Sequence, residues 1–274
     1  MPTVHVGDSD LFYQDDDFAD PWAEHDTVFL QHGLGRNSNF WRAWVPWLAR
    51  EYRVVRMDLR GFGRSGDPGP EYRYSAQGLL DDFVGFLDAL RIGPVHYVGE
   101  SAGGIIGATA AARYPERFKS LTLVATPIRV KPEATGKVLA LDYPSWQDAM
   151  RSLGMKQWWL KTRAALGELT GDPARDEYYA NECARTPVHV VVAFSQFAPT
   201  VSLAAILPAI IAPTLMLTPG SSVHTSREEQ DSIARSIPNV RQRVYEGAIH
   251  GMFYLTPDPL AQDTLAFMRS LRSP

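Results

Sequence analysis

Val95-His96-Tyr97-Val98-Gly99-Glu100-Ser101-Ala102-Gly103-Gly104 decides how this chain folds. The apolar run 95–98 reads as a buried strand, and the small residues from Ala102 onward open a helix that Pro115 stops. Gly99 and Gly103 flank Ser101 between them. Gly-x-Ser-x-Gly on a strand-to-helix turn holds the serine in a sharp, strained elbow with its hydroxyl exposed. The glycines let strand and helix approach where a Cβ on either would clash. Such a pentapeptide recurs by chance in long chains, but here the flanking strand and helix supply the context it requires. Ser101 is therefore a candidate nucleophile.

Outward from the elbow, strand-like apolar runs fall at 27–31, 52–57, 121–125, 214–217 and 241–245, and helical patterns at 41–50, 75–90, 102–114, 227–236 and 258–271. Two short alternating runs, 3–6 and 11–13, flank Gly7-Asp8 as an opening hairpin. Continuous apolar strands separated by helices predict an α/β fold with a mainly parallel sheet covered on both faces. The rhythm breaks between 127 and 208, where Trp146, Trp158, Trp159, Tyr178, Tyr179, Phe194 and Phe197 lie in helix-like patterns with no evident strand. The expected organisation is a core of residues 1–127 and 208–274 with a helical cap over 128–207.

Composition narrows the class. A net charge of −4 argues against a nucleic-acid partner, which needs a basic face. The N-terminus turns acidic at once (Asp8, Asp10, Asp15, Asp16, Asp17), unlike a secretory signal, and no apolar run is long enough to span a bilayer. Cys183 stands alone, which excludes an intrachain disulfide and fits a reducing, cytoplasmic setting for a buried thiol. No histidine pair has metal-ligand spacing, so no metal and no cofactor are expected.

In open parallel sheets ligands bind beyond the carboxyl ends of the strands. Three signals fall there: His32-Gly33-Leu34-Gly35 after run 27–31, the serine elbow, and Glu246-Gly247-Ala248-Ile249-His250-Gly251 after run 241–245. With the turn Asp58-Leu59-Arg60-Gly61-Phe62-Gly63-Arg64-Ser65, these motifs resemble, in order and spacing, the α/β-hydrolase fold family. The resemblance is to its capped serine-hydrolase subgroup of carboxylesterases, enol-lactonases and C–C bond hydrolases, and it covers nearly all of the chain outside 128–207. It implies Ser101 as nucleophile and His250 as general base, with the backbone N–H groups of Leu34 and Ala102 as the oxyanion hole. A serine at the elbow argues against the dehalogenase and epoxide-hydrolase branches, which carry aspartate there. His32 is expected to shape the oxyanion loop. His5, His25, His96 and His189 read as ordinary polar or packed residues, and Arg60 and Arg64 as stabilisers of their turn.

The third triad position departs from the family. Where the resemblance places an acid after run 214–217, the chain reads Pro219-Gly220-Ser221-Ser222-Val223-His224-Thr225-Ser226, with Ser222 at the carboxylate's place. A serine accepts a hydrogen bond but carries no charge to stabilise imidazolium; neutralising the acid of a comparable triad costs about four orders of magnitude in turnover. Three explanations stand open. The acid has moved, to Glu133 or to Glu100, whose side chain is expected to point away from the active face. Or a Ser101–His250 dyad works with Ser222 or a backbone carbonyl as its orienter. Or activity is lost and a ligand-binding protein remains. The expected activity is hydrolysis of a carboxylic ester, with lactone, amide and C–C bonds as alternatives. The aromatic cap points to an apolar or aromatic small-molecule substrate.

Overall fold

The computed structural model describes residues 2–272. Eight strands build one sheet: β1 Thr3–Val6, β2 Ser9–Asp16, β3 Thr27–Gln31, β4 Arg53–Met57, β5 Val95–Glu100, β6 Phe118–Val124, β7 Thr214–Pro219 and β8 Val240–Tyr245, in the order β1-β2-β4-β3-β5-β6-β7-β8. β1 and β2 pair antiparallel, as do β2 and β4; every pairing from β4 to β8 is parallel. β5 and β7 are buried at every residue, as expected for central strands covered on both faces, whereas the edge strand β8 exposes Arg241 and Arg243.

The helices are α1 Val45–Leu48, α2 Ala76–Ala89, α3 Ala102–Arg113, α4 Pro132–Ala140, α5 Trp146–Leu166, α6 Pro173–Cys183, α7 Val188–Phe197, α8 Arg227–Ser236, α9 Met252–Leu255 and α10 Pro257–Arg269. Pattern 41–50 contains only the short α1, preceded by a 3-10 turn over Ser38–Trp41; Pro46 sits in the first turn of α1, where its missing N–H costs nothing. β2 runs to Asp16, beyond the apolar 11–13, because its polar end pairs with β4 through ion pairs Asp15–Arg53 and Asp16–Arg56.

α3 lies hard against the sheet. A Cβ on Gly103 would come within 2.5 Å of the Gln31 carbonyl oxygen, and one on Gly99 within 2.5 Å of the Gly103 carbonyl oxygen. Residues between β6 and β7 form α4 to α7 and no strand. This insertion is fastened to the rest of the chain by side chain-to-backbone bonds: Asn37 Nδ2 donates to the Glu182 carbonyl at 2.9 Å, and the Gly63 N–H to Thr186 Oγ1 at 3.0 Å. α5 breaks its regular dihedrals at Gly154 and closes on Gly167 in the left-handed conformation (φ 67°, ψ 24°). Among the described residues no helix is long and apolar enough to cross a membrane.

Candidate active site

Ser101 follows β5 directly and precedes the first residue of α3, with φ +52° and ψ −118°. A positive φ on a non-glycine residue costs on the order of 1–3 kcal/mol and is held only where the surroundings over-determine it. The Ser101 N–H donates to the Val124 carbonyl at 3.0 Å, while its own carbonyl accepts from Gly104 and Ile105. The Ala102 N–H opens α3 and so has no acceptor within the helix.

His250 lies in the turn between β8 and α9, and its Nε2 stands 3.1 Å from Ser101 Oγ, joining residues 149 positions apart. With Oγ–H donating, the imidazole carries its proton on Nδ1. That Nδ1 is buried and has no hydrogen-bond partner. Burial, first, and then the nearby His224, Arg36 and Arg163 push His250 well below the ordinary histidine value, so the ring stays neutral.

The loop after β3 is braced from below. His32 donates from Nδ1 to the Gly33 carbonyl at 2.8 Å and accepts the Leu59 N–H on Nε2 at 3.0 Å, which fixes its tautomer. Burial depresses it to about 4, so it links two loops as a neutral ring. Glu100 points toward the active face, contrary to the expectation from sequence. It is fully buried, accepts the Gly33 N–H at 3.1 Å and the Arg36 Nη1 at 2.5 Å, and lies 3.6 Å from His250 Nε2. β5 continues to Glu100, and its carboxylate tucks beneath the loop it holds. Burial raises its pKa and the Arg36 charge opposes that rise.

Ser222 does not reach His250: its Oγ accepts from the backbone N–H groups of His224 (3.1 Å) and Thr225 (3.3 Å), folding its own loop. Glu133 is on the surface, paired with Arg129. Asp58 anchors the turn that follows β4 by accepting from the Ser38 and Arg64 N–H groups, and Arg60 is held by Asp82 and Asp8. Cys183 is buried and its thiol is pushed up to about 12. Among the described residues no group of three His, Cys, Asp or Glu side chains is arranged to hold a metal ion.

A narrow cavity opens over Ser101 and His250. Leu34 lines it from the loop after β3, and Leu139, Trp146 and Trp158 from the insertion. Of the seven aromatics singled out there, these two tryptophans reach the cavity. Trp159 and Tyr179 pack with Phe40 and Tyr254 instead, and Phe194 with Phe62 and Tyr74. Three polar residues that sequence reasoning passed over also line it: Arg36, Arg163 and His224. His224 stacks on His250, ring centroids 4.2 Å apart and planes at 33°. Its only sequence signal is its place, two residues after Ser222.

Residues 26–257 match the alpha/beta hydrolase fold family, and the chain belongs to that family. Over 125 residues it is 38% identical to the protein named "Putative carbamate hydrolase RutD" of Azorhizobium caulinodans, a match covering 45% of this chain and 44% of that one. The chain thus spans less than half the length of this curated relative. Two solved structures share the whole architecture. The enol-lactonase of Burkholderia xenovorans LB400 superposes with a TM-score of 0.79 at 22% identity, covering 98% of this chain and 100% of that one. A thermophilic esterase of Thermogutta terrifontis superposes with 0.81 at 24% identity, covering 99% of both. At these identities the two structures speak for the fold alone.

Proposed function

We propose that the chain is a serine hydrolase that cleaves a carboxylic ester through an acyl-serine intermediate. The observation that carries this reading is the 3.1 Å contact of Ser101 Oγ with His250 Nε2 at the floor of a pocket lined by both apolar and polar side chains. Ser101 Oγ attacks the carbonyl carbon while its proton passes to His250 Nε2. The carbonyl oxygen becomes an oxyanion facing the Leu34 and Ala102 N–H groups, each worth roughly 3–4 kcal/mol of barrier. Collapse expels the alcohol, which takes the proton from His250. Water, deprotonated by the same ring, then releases the acid and restores Ser101.

Residues 128–207 act as a cap in this reading, with Trp146 and Trp158 receiving an apolar or aromatic part of a small-molecule substrate. The setting is cytoplasmic, where the lone thiol stays reduced. The name of the Azorhizobium relative supports a second substrate, a carbamate, whose carbonyl the same attack would open.

A fluorophosphonate probe tests the nucleophile. Wild type is expected to label and Ser101→Ala not; equal labelling of both, or none of wild type, overturns the reading in favour of a non-catalytic binder. A panel of p-nitrophenyl esters and aryl carbamates tests the substrate class. Turnover of short aliphatic esters with none of aryl esters would remove the aromatic assignment.

A further inference from the structure

The weakness of the site is the unsupported side of His250. Its Nδ1 is buried without a partner, and Ser222, at the family's acid position, is committed to its own loop. A buried donor left so costs roughly 1–3 kcal/mol, and the imidazolium formed on proton transfer would cost more. Two buried carboxylates stand near. Glu100 faces Nε2, the atom that must serve Ser101, and is held by Gly33 and Arg36. It braces the oxyanion loop and cannot orient Nδ1.

The other is Glu168, the first residue after the left-handed Gly167 that ends α5. Its side chain is 2% exposed, and Arg163 Nη1 donates to Oε2 at 2.6 Å, leaving Oε1 toward His224 Nε2 at 3.9 Å. Glu168 is fixed by its backbone as well: its N–H donates to the Arg163 carbonyl at 2.8 Å, and its carbonyl accepts Tyr254 Oη at 2.8 Å. Tyr254 lies four residues beyond His250, so the turn carrying the base and the end of α5 are tied together. His224 Nε2 is also buried without a hydrogen-bond partner, at a spacing a small closure or a bridging water would convert into a bond. The face of its ring lies against His250.

Building on the Ser101–His250 reading, we infer that Glu168 supplies, through His224, the negative charge that the missing triad carboxylate would provide. With its Nε2–H turned to the carboxylate, His224 presents an electron-rich ring face to His250. Polarised by Glu168 through that N–H, which phenylalanine lacks, a neutral His224 favours imidazolium on the ring it stacks against; only a protonated His224 would repel it. Glu168 and His224 are positioning residues: neither touches the reacting atoms. The acid has thus moved off the strand ends into the insertion, and the site is complete only with the insertion closed over it.

The test compares Glu168→Gln, His224→Phe and the double variant by p-nitrophenyl ester kinetics and by the rate of fluorophosphonate labelling. Each single change is expected to lower kcat and the labelling rate about 10- to 100-fold with KM within about twofold, as for loss of a partner that orients a histidine. The double variant is expected to be no worse than the poorer single one. His224→Phe keeps the stacked ring and the Arg163–Glu168 pair, so it carries the test should Glu168→Gln fail to fold. Folded single variants that label and turn over at the wild-type rate overturn the inference, as do losses that multiply in the double variant or fall on KM alone. In those cases labelling of wild type leaves the Ser101–His250 reading intact; absence of wild-type labelling removes both.

Discussion

The loops after β5 and β7 leave the same edge of one sheet, and they were built by different means. After β5, the backbone does nearly everything: Gly99 and Gly103 admit α3 against the sheet, Ser101 is forced to φ +52°, and the hydroxyl has one place to go. After β7, backbone bonds stop at Gly220 and Ser221, which donate to the carbonyls of Tyr245 and Ala248. Beyond them Ser222 turns its hydroxyl on its own loop, and His224 reaches the cavity instead. The position of Ser101 is therefore set by local sterics, whereas the support of His250 depends on side chains distant in sequence. Changes at the first loop should be severe and unconditional, and changes at the second graded.

The largest effect is expected at Ser101. Ser101→Ala removes one oxygen without altering the turn, and kcat should fall about 10,000-fold or more with an unchanged circular dichroism spectrum. Residual turnover near wild type would break the comparison at its root. Next comes Gly33→Ala, where a Cβ would stand 2.7 Å from Glu100 Oε2 and 2.9 Å from the Glu100 carbonyl oxygen. The loop after β3 must shift, taking the Leu34 N–H with it. A loss of about 100-fold in kcat is expected, and KM should move little, because the donor acts on the transition state.

The same contrast explains what was legible in the sequence. The parallel strands, the elbow and His250 could be read because apolar runs and glycine spacings report close backbone packing. Glu100 was misdirected: the strand was expected to end at Val98, and two further residues of β5 carry the carboxylate to the active face. His224, Arg36 and Arg163 gave no periodic signal; a polar side chain becomes part of a cavity through tertiary folding. Glu168 was invisible for the same reason, lying just past a helix end inside the insertion.

Protonation separates the two loops again. His32, under the first, and His224, in the second, are both pushed down to about 4 by burial. A histidine whose folded pKa lies below its unfolded value near 6.5 adds stability above 6.5. That stability is lost as pH falls, because the unfolded chain takes up protons that the folded one refuses. Each ring thus contributes a slope of about 1.4 kcal/mol per pH unit between roughly 6.5 and 4, opposed by Glu100 and Asp58, which burial pushes upward. Urea unfolding at pH 6.5 and 4.5 should show His224→Phe flattening that dependence by one proton's worth. An unchanged slope would mean that His224 is protonated in the folded protein. Turnover should hold its neutral-pH value down through pH 6, since His250 stays neutral well below 6.5.

Smaller still is the gain expected from Ser222→Asp. Aspartate can accept the His224 and Thr225 N–H groups as Ser222 does and has a second oxygen to spare. A rise in kcat of about three- to tenfold would show that the loop after β7 can still host an acid. No rise, with folding intact, would mean that the loop no longer aims at Nδ1.

The smallest effect belongs to Glu133, the other carboxylate considered for the moved acid. It lies in the first turn of α4, exposed to solvent and paired i,i+4 with Arg129. Its pKa is lowered by its own backbone N–H and by Arg129, a helix-terminus arrangement with no share in the cavity. Solvent screens such an exposed pair, so Glu133→Gln should leave kcat, KM and labelling rate at wild-type values. A deep loss of turnover would force Glu133 inward on substrate binding and displace Glu168 as the source of charge. That outcome would also erase the distinction between the loops, since an acid delivered by a moving surface helix would owe nothing to either strand end.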